Sequence, residues 1–447
     1  MYTFPSPVCT MIKGGIMNLE EKEYLKRDRE LCLIASENYP SEDVLKASGS
    51  IFQLKYSEGF PYKRYYAGTE VVDEMEELCI KKCLELFNAE EEYNANVQPN
   101  SGASANMIVY NAILEPNDTV LAMDVKAGGH ISHSHPKSFI SKYHNVVTYG
   151  VDDEGLLDYD EIERIALATR PKLIICGASN YSREVNFRRF AEIRDKVKSL
   201  GTDCYLLADI AHISVLVAHG LHCTPVGLVD FITSTTHKSL RGPRGAFILY
   251  KKEYDKQIRL STIPGLFGGP LEHQIYAKLV CFNEMLKPEA KIYSKNIIKN
   301  AQAMLDTFIN NGLKIVSNST QNHLMTIDLT DYHVTGKEMS EILEECGVIT
   351  NCNTVPNDKR SFLQTSGIRV GVPAITARGF STSDTILLSM RIAGLIIFYK
   401  EDGYEKQREE MKELLKATVK ILTKQHPLSS IYPELASKIE EKVITKV

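Results

Sequence analysis

Apolar residues fall along this 447-residue chain in two alternating rhythms. The runs Thr119-Val120-Leu121-Ala122-Met123, Lys172-Leu173-Ile174-Ile175-Cys176 and Cys204-Tyr205-Leu206-Leu207-Ala208 are short, β-prone and apolar without alternation. Val229-Asp230-Phe231-Ile232 and Gly245-Ala246-Phe247-Ile248-Leu249-Tyr250 repeat the pattern. Such runs predict strands buried on both faces. Segments with helical periodicity lie between them: Ser101 to Leu114, Asp158 to Ala168 and Phe187 to Leu200. Strands alternating with amphipathic helices imply an α/β fold with a largely parallel sheet covered on both sides. After Pro288 the rhythm changes to a long helix, a few strands around Leu324 to Leu329 and terminal helices, which predicts a smaller second domain. Near the start, Met17 opens a predicted amphipathic helix with Leu19, Tyr24 and Leu25 as its apolar positions.

Composition narrows the picture. At 43% hydrophobic and 24% charged, the chain reads as an ordinary soluble globular protein. A formal net charge of -5 argues against a nucleic-acid partner held by a basic face. The ten cysteines show neither a CxxC pair nor the spacing of a disulfide module, and Cys79 and Cys83 lie one helical turn apart. That usage predicts free thiols in a reducing compartment, hence a cytoplasmic location. No run reaches the roughly 18 apolar residues of a membrane span. Met1 to Ile16 has one lysine and no apolar core, so it does not read as a leader peptide, and Met11 or Met17 is an alternative start.

Candidate chemistry centres on Lys238, placed after the Val229–Ile232 run and inside Thr233-Ser234-Thr235-Thr236-His237-Lys238-Ser239. A lysine ammonium is strongly hydrated, so a buried strand end lowers its pKa and favours the nucleophilic amine. A Schiff-base lysine for pyridoxal phosphate needs that property, although a surface lysine after a strand is the bland alternative. Asp209 closes the Cys204–Ala208 run and precedes Ile210-Ala211-His212. It suits a pyridinium partner at the carboxyl end of a buried strand, or else a helix N-cap. Ser101 and Gly102 open a predicted helix, where free N–H groups favour a phosphate. His130 follows two glycines, a place for an imidazole to stack on a ring. His130, His133 and His135 lack a neighbouring cysteine or acid to complete a four-ligand set, so no metal is expected. Arg369, between β-branched residues, suits a carboxylate or a structural salt bridge.

Several separated motifs now carry a resemblance. Leu33-Ile34-Ala35-Ser36-Glu37-Asn38, Tyr56-Ser57-Glu58-Gly59-Phe60-Pro61, Lys63-Arg64-Tyr65-Tyr66, Gly128-Gly129-His130, Ala208-Asp209-Ile210-Ala211-His212, Thr235-Thr236-His237-Lys238 and Thr365-Ser366-Gly367-Ile368-Arg369 stand in order. Over roughly residues 20 to 420 the chain resembles the serine hydroxymethyltransferases. The resemblance implies a fold-type I pyridoxal-phosphate transferase, similar to aspartate aminotransferase, with a large mixed-sheet domain and a smaller C-terminal α+β domain. Its parts would be an N-terminal arm (1–40), a cofactor domain (41–287) and a small domain (288–447). The implied reaction interconverts serine and tetrahydrofolate with glycine and 5,10-methylenetetrahydrofolate.

By that resemblance Lys238 carries the cofactor as an aldimine, with Thr235 and His237 beside it. Asp209 pairs with the pyridine nitrogen, His130 stacks on the ring, and His212 bonds the phenolic oxygen. Ser101, Gly102, Ser179 and Arg244 belong to the same cofactor site, joined by Tyr56, Gly268 and Gly269 from a neighbouring subunit. Ser36, Tyr66 and Arg369 hold the amino acid, and Glu58 carries the proton for the hydroxymethyl group. Val125, Gly129, Ile131, Asn353 and Ser361 fall at folate positions. A homodimer with shared sites, or a tetramer, follows.

Departures concentrate on folate and phosphate. Ala103 stands where relatives have a serine, Phe267 where they have glutamine, and Val125 where they have leucine. Ser361-Phe362-Leu363 replaces Ser-Pro-Phe, Cys352 replaces a lysine, and Tyr62 and Ala67 replace glycines. Two rivals follow from these changes: a folate-independent threonine or allo-threonine aldolase, and a binding-only paralogue.

Overall fold

The computed structural model describes residues 19–444. The segment Met1 to Ile16 and the candidate starts Met11 and Met17 lie outside the described residues. Seven strands form the main sheet: β1 (Tyr93–Asn96), β2 (Thr119–Met123), β3 (Asn145–Tyr149), β4 (Leu173–Cys176), β5 (Tyr205–Asp209), β6 (Phe231–Thr235) and β7 (Ala246–Lys251). Their order is β1-β7-β6-β5-β4-β2-β3. Pairs from β3 through β6 are parallel, while β7 runs against both β6 and β1. The loop from Thr236 to Gly245 is too short for a parallel crossover, so β7 must turn back. The sheet is therefore mixed.

Alternate residues of each central strand serve opposite faces, as strand geometry requires. Leu121, Ile174, Leu206, Ile232 and Phe247 join one core, with Met75, Cys79 and Cys83 of the helix Glu70–Phe87 and Phe190 of the helix Phe187–Ser199. Val120, Leu173, Leu207, Phe231 and Ile248 join the other, with Ile108 and Val109 of the helix Gly102–Ile113. The edge strands β1 and β3 carry asparagine and threonine, and the apolar pattern does not predict them. The helix Leu19–Arg29 forms where expected, but Leu19 is exposed and Tyr24 and Leu25 are only half-buried, so its predicted apolar stripe is little used.

A second, antiparallel sheet follows: β8 (Lys314–Ile315), β9 (Leu324–Asp328), β10 (Asn351–Asn353) and β11 (Gly367–Gly371), in the order β8-β9-β11-β10. The helices Pro288–Asn310 and Gly336–Glu345 pack on it. Thr326 Oγ1 donates to Asn180 Oδ1 (2.8 Å), and Thr354 Oγ1 donates to the Lys126 carbonyl (2.9 Å), tying this sheet to loops of the first. Leu31–Cys32 pairs in parallel with Val348–Ile349, and the Gly371 amide donates to the Leu33 carbonyl. Among the described residues no helix is long and apolar enough to cross a membrane.

Arg378 closes the outer layer. Its buried guanidinium donates to the carbonyls of Arg27, Asp28 and Glu30 at one helix end and to that of His426 at another. Removing it takes the donor from four partly buried carbonyls at once. Arg378→Ala should therefore lose about 3 kcal/mol or more of stability, read from the urea midpoint.

Candidate active site

Register decides where the chemistry sits. Asp209 at the end of β5 pairs with Thr233 of β6, so Asp209 and Lys238 emerge from neighbouring strand ends. A cavity of about 660 Å³ opens there, at the carboxyl edge where parallel sheets place ligands. The sheet contributes Asp209, His212, Thr235, His237, Lys238 and Arg244 to its wall. Ser101 and Gly102 enter from the helix Gly102–Ile113, and Val125, Gly129, His130 and Ile131 from the loop after β2. Ser179 follows β4, Asn353 and Arg369 come from the second sheet, and Ser36 comes from the arm.

Lys238 is 9% exposed, and its ammonium makes no hydrogen bond or ion pair among the described residues. Burial brings its pKa from 10.5 down to about 8; Asp209 opposes the shift, while Arg369 and Arg244 add to it. Asn38 fixes the backbone, its Nδ2 donating to the Lys238 carbonyl (2.8 Å). Asp209 is engaged by three other donors. Its Oδ2 lies 3.0 Å from His133 Nε2 and 3.0 Å from Asn106 Nδ2, and its Oδ1 accepts from the Ala211 amide (3.0 Å), which leaves one acceptor position on Oδ1. Thr233 Oγ1 donates to Asn106 Oδ1 (2.6 Å), which orients that amide. Burial alone would raise the Asp209 pKa, but the His133 bond and the charges of His130 and Lys238 hold it well below its usual value.

His130, His237 and His212 are neutral rings. His130 falls to about 4, through burial and then the charges of His133, Lys238 and Arg369. His237 falls to about 3, through burial and then Arg244 and Lys238. Burial pushes His212 well below its usual value, and it stacks on His323 with ring centroids 5.5 Å apart. Gly128 and Gly129 place His130: a Cβ on Gly128 would lie 2.3 Å from the Asn180 carbonyl, and one on Gly129 2.1 Å from the Met123 carbonyl. Only glycine lets the chain pass there.

At the far end, Ser101 caps its helix in a reciprocal box with Ser104. This leaves the first amides of that helix without intrahelical partners, facing the cavity as an anion seat. Arg369 lies opposite. Its Nη1 donates to the Ser179 carbonyl (2.7 Å) and its Nε to Asn351 Oδ1 (3.2 Å). No carboxylate pairs with it among the described residues, so the salt-bridge alternative fails. Burial lowers its pKa to about 10.

Tyr56, Glu58, Tyr66, Gly268 and Gly269 do not line this cavity. They form a cluster of their own, in which the Tyr56 hydroxyl donates to Glu58 Oε1 (3.1 Å) and the Tyr56 and Tyr66 rings meet edge to face at 5.0 Å. Both rings are about half exposed. Ser361 also lies outside, in an exposed turn whose carbonyl accepts from Gln364 and Thr365.

A family model described as serine hydroxymethyltransferase matches residues 10–392. A serine hydroxymethyltransferase of Coprothermobacter proteolyticus is 46% identical over 413 residues, covering 92% of this chain and 96% of that protein. This chain belongs to the serine hydroxymethyltransferase family. It is an enzyme of serine–glycine and one-carbon metabolism.

Departures from the serine hydroxymethyltransferase pattern have visible consequences. Ala103, Val125, Cys352 and Phe362 all line the cavity, so those substitutions change its wall directly. Phe267 instead packs half-buried on the second core, and Leu363 is exposed. Tyr62 keeps a left-handed backbone (φ 60) after Pro61, as the third residue of a turn that favours glycine there.

Sequence reading missed His133 and Asn106 as partners of Asp209, and also His323 and Asn38. His133 was weighed only as a metal ligand; its ring engages Asp209, and His135 accepts from the Lys137 amide. Glu184, His222 and Cys223 do converge, but the His222 nitrogens meet the Val185 amide and Cys223 carbonyl, and the thiol donates to the Val185 carbonyl. That trio serves the loop.

The electrostatics predict that acylation of Lys238 in the cofactor-free protein rises with a midpoint near 8. Arg369→Gln removes a neighbouring cation and should raise that midpoint, whereas Asp209→Asn should lower it. Peptide mass mapping across pH reads both shifts.

Proposed function

We propose that the Lys238 cavity binds pyridoxal 5′-phosphate and that this enzyme uses tetrahydrofolate to interconvert serine and glycine. The observation that carries the reading is a buried lysine without a counter-ion beside an aspartate that keeps one acceptor position open, in a cavity whose opposite wall holds an arginine with no carboxylate partner. The residues fit the cofactor. A Cβ on Gly102 would meet Thr235 Cγ2 at 3.0 Å, so glycine lets the helix start pack closely on the strand end that leads to Lys238. Two unpaired cations and a flat neutral imidazole complete a place for a phosphorylated aromatic ring.

When bound, pyridoxal phosphate supplies an electron sink for the pair released at the substrate α-carbon. The protein supplies everything else. Lys238, with a pKa near 8, presents roughly a tenth of its amine unprotonated at neutral pH, far more than an ordinary lysine. Asp209, held ionised, keeps a pyridine nitrogen protonated. His130 offers its ring face, and His212 a ring nitrogen for the phenolic oxygen. Thr235, His237 and Arg244 border the lysine, and the Gly102 amide, with Ser101 and Ser179 beside it, takes the phosphate side. Arg369 and Ser36 hold the amino-acid carboxylate.

Glu58 and Tyr66, with Tyr56, Gly268 and Gly269, would enter the site of a second copy, which supports a homodimer. Large exposed side chains around them, including Ile51, Leu54, Tyr65 and Val71, favour that contact. Glu58 then carries the proton of the hydroxymethyl group. Val125, Gly129, Ile131 and Asn353 form the folate side, with Ser361 at its rim. The layout also favours an arm (1–40), a cofactor domain (41–287) and a small domain (288–447) in a fold-type I enzyme. The nine cysteines of the described residues are free thiols, in keeping with the cytoplasm.

The test is serine cleavage with and without tetrahydrofolate. Strong acceleration by folate is expected, and its absence would favour the aldolase chemistry. Lys238→Ala should abolish both turnover and the borohydride-fixed cofactor mass on that peptide. Glu58→Gln should retain the fixed mass but lose about 100-fold or more in serine turnover.

A further inference from the structure

Beneath the Tyr56–Glu58 segment, outside the Lys238 cavity, three buried carboxyl groups surround one guanidinium. Arg64 Nε donates to Asp73 Oδ1 (2.7 Å), its Nη2 to Glu76 Oε2 (2.6 Å), and its Nη1 to the carbonyls of Ser57 and Gly59 (3.0 Å each). Gln98 Nε2 donates to Glu76 Oε1 (2.9 Å) and the Gly59 carbonyl (3.0 Å). The third carboxyl, Glu272, opens the helix Glu272–Met285 and is 1% exposed. Its Oε1 accepts from the Ser57 hydroxyl, and its Oε2 has no partner among the described residues.

Glu272 directly follows the Gly268-Gly269-Pro270-Leu271 turn. A Cβ on Gly268 would lie 2.9 Å from Glu58 Oε1, and one on Gly269 3.0 Å from the Tyr56 ring. The turn and the segment therefore meet at three successive points: Gly268 on Glu58, Gly269 on Tyr56 and Glu272 on Ser57. We infer that Glu272 is a positioning residue: through Ser57 it holds the Tyr56–Glu58 segment on the Gly268–Gly269 turn, so that both enter a site as one unit. This inference rests on the role proposed above for Glu58.

Charge balance decides the form of Glu272. Glu76 receives donors from Arg64 and Gln98, and Asp73 from Arg64 and the Thr69 hydroxyl, whereas Glu272 receives only a hydroxyl. Lys278, on the same helix, is held by the carbonyls of Val97, Pro99 and Ala246, and Arg259 is bonded to Asp255. The Cys79 thiol nearby is kept protonated by burial. Burial raises Glu76 too, but the Arg64 charge and the Arg64 and Gln98 bonds oppose it. The shared proton therefore lies more on Glu272, whose carboxyl is pushed up to about 7 by burial and then by Glu76. A carboxyl whose folded pKa exceeds its ordinary 4.5 binds more protons folded than unfolded between those values. Its contribution is complete below 4.5 and is lost as pH rises through about 7.

The test compares Glu272→Ala, Glu272→Gln, Ser57→Ala and the double Ser57→Ala/Glu272→Ala in the cofactor-loaded enzyme. Glu272→Ala and Ser57→Ala should each lower kcat for serine about tenfold, the scale of one lost buried hydrogen bond, with less change in KM. The double variant should fall no further than the worse single one. Glu272→Gln keeps a neutral partner for Ser57 and should restore at least half of the turnover. Its thermal midpoint should also fall less than that of the unaltered enzyme between pH 6 and 8. Wild-type-like turnover in Glu272→Ala, losses that multiply in the double variant, or a Gln variant as impaired as the Ala one would each overturn the inference. If Glu272→Ala does not fold, the Gln and Ser57 variants still decide it. Glu58→Gln, run in parallel, separates the two readings: unchanged serine turnover there refutes the Glu58 role, while coupling of Ser57 to Glu272 is read independently from thermal midpoints.

Discussion

A buried amine and a buried carboxylate at the ends of adjacent parallel strands set the terms for the rest of the molecule. Had Asp209 bonded Lys238 directly, the pair would have been mutually stabilised in its charged form and the amine lost as a nucleophile. Instead His133, Asn106 and the Ala211 amide occupy the Asp209 oxygens, and the lysine is left with burial and two like charges acting on it. The aspartate stays ionised and the lysine becomes easier to deprotonate. Opposite demands on neighbouring groups are met by where the hydrogen bonds go.

The second sheet and the arm extend the same arrangement. Arg369 on β11 reaches the cavity because Thr326 and Thr354 tie the second sheet to loops of the first, and because its own Nη1 bonds the Ser179 carbonyl. Asn38 links the arm to the Lys238 backbone and to the Tyr293 hydroxyl (2.7 Å). Displacement of either element would move a cation relative to the lysine and so change its pKa. Stability of the outer layers and tuning of the amine are thus the same problem.

The apolar runs announced five strands of the main sheet and the helices between them to within three residues, because strands buried on both faces leave little freedom in composition. Edge strands β1 and β3 were invisible for two other reasons: β3 is partly exposed and tolerates asparagine and threonine, while the asparagines of the buried β1 are held by hydrogen bonds to Asp255 and Thr262. Among site residues, those read correctly into the cavity carry distinctive chemistry at strand ends, such as Lys238 and Asp209, or stand beside glycines that nothing else can replace, such as His130. His133, Asn106 and His323 were missed because their roles depend on tertiary contacts across 76, 103 and 111 residues of sequence. The Tyr56–Glu58 cluster was legible only through resemblance. Within one chain it lies apart from the lysine, and no local spacing marks it as belonging there.

That separation has a physical reason. If Arg369 seats an amino-acid carboxylate as proposed, the cavity has to be kept clear of the protein's own carboxylates, which would otherwise neutralise the guanidinium first. Asp209 is engaged by three other donors. Glu37, which also borders the cavity, is drawn to Arg27 (3.1 Å) and to the Cys32 thiol. Glu58, the remaining acid of interest, sits outside, bonded to Tyr56 and backed by the Gly268–Gly269 turn. Every acid near the chemistry is thus committed or held at a distance. A site in which the acid arrives on a second copy keeps Arg369 free in the isolated chain and admits the proton carrier only on an element already braced against collapsing onto the cation.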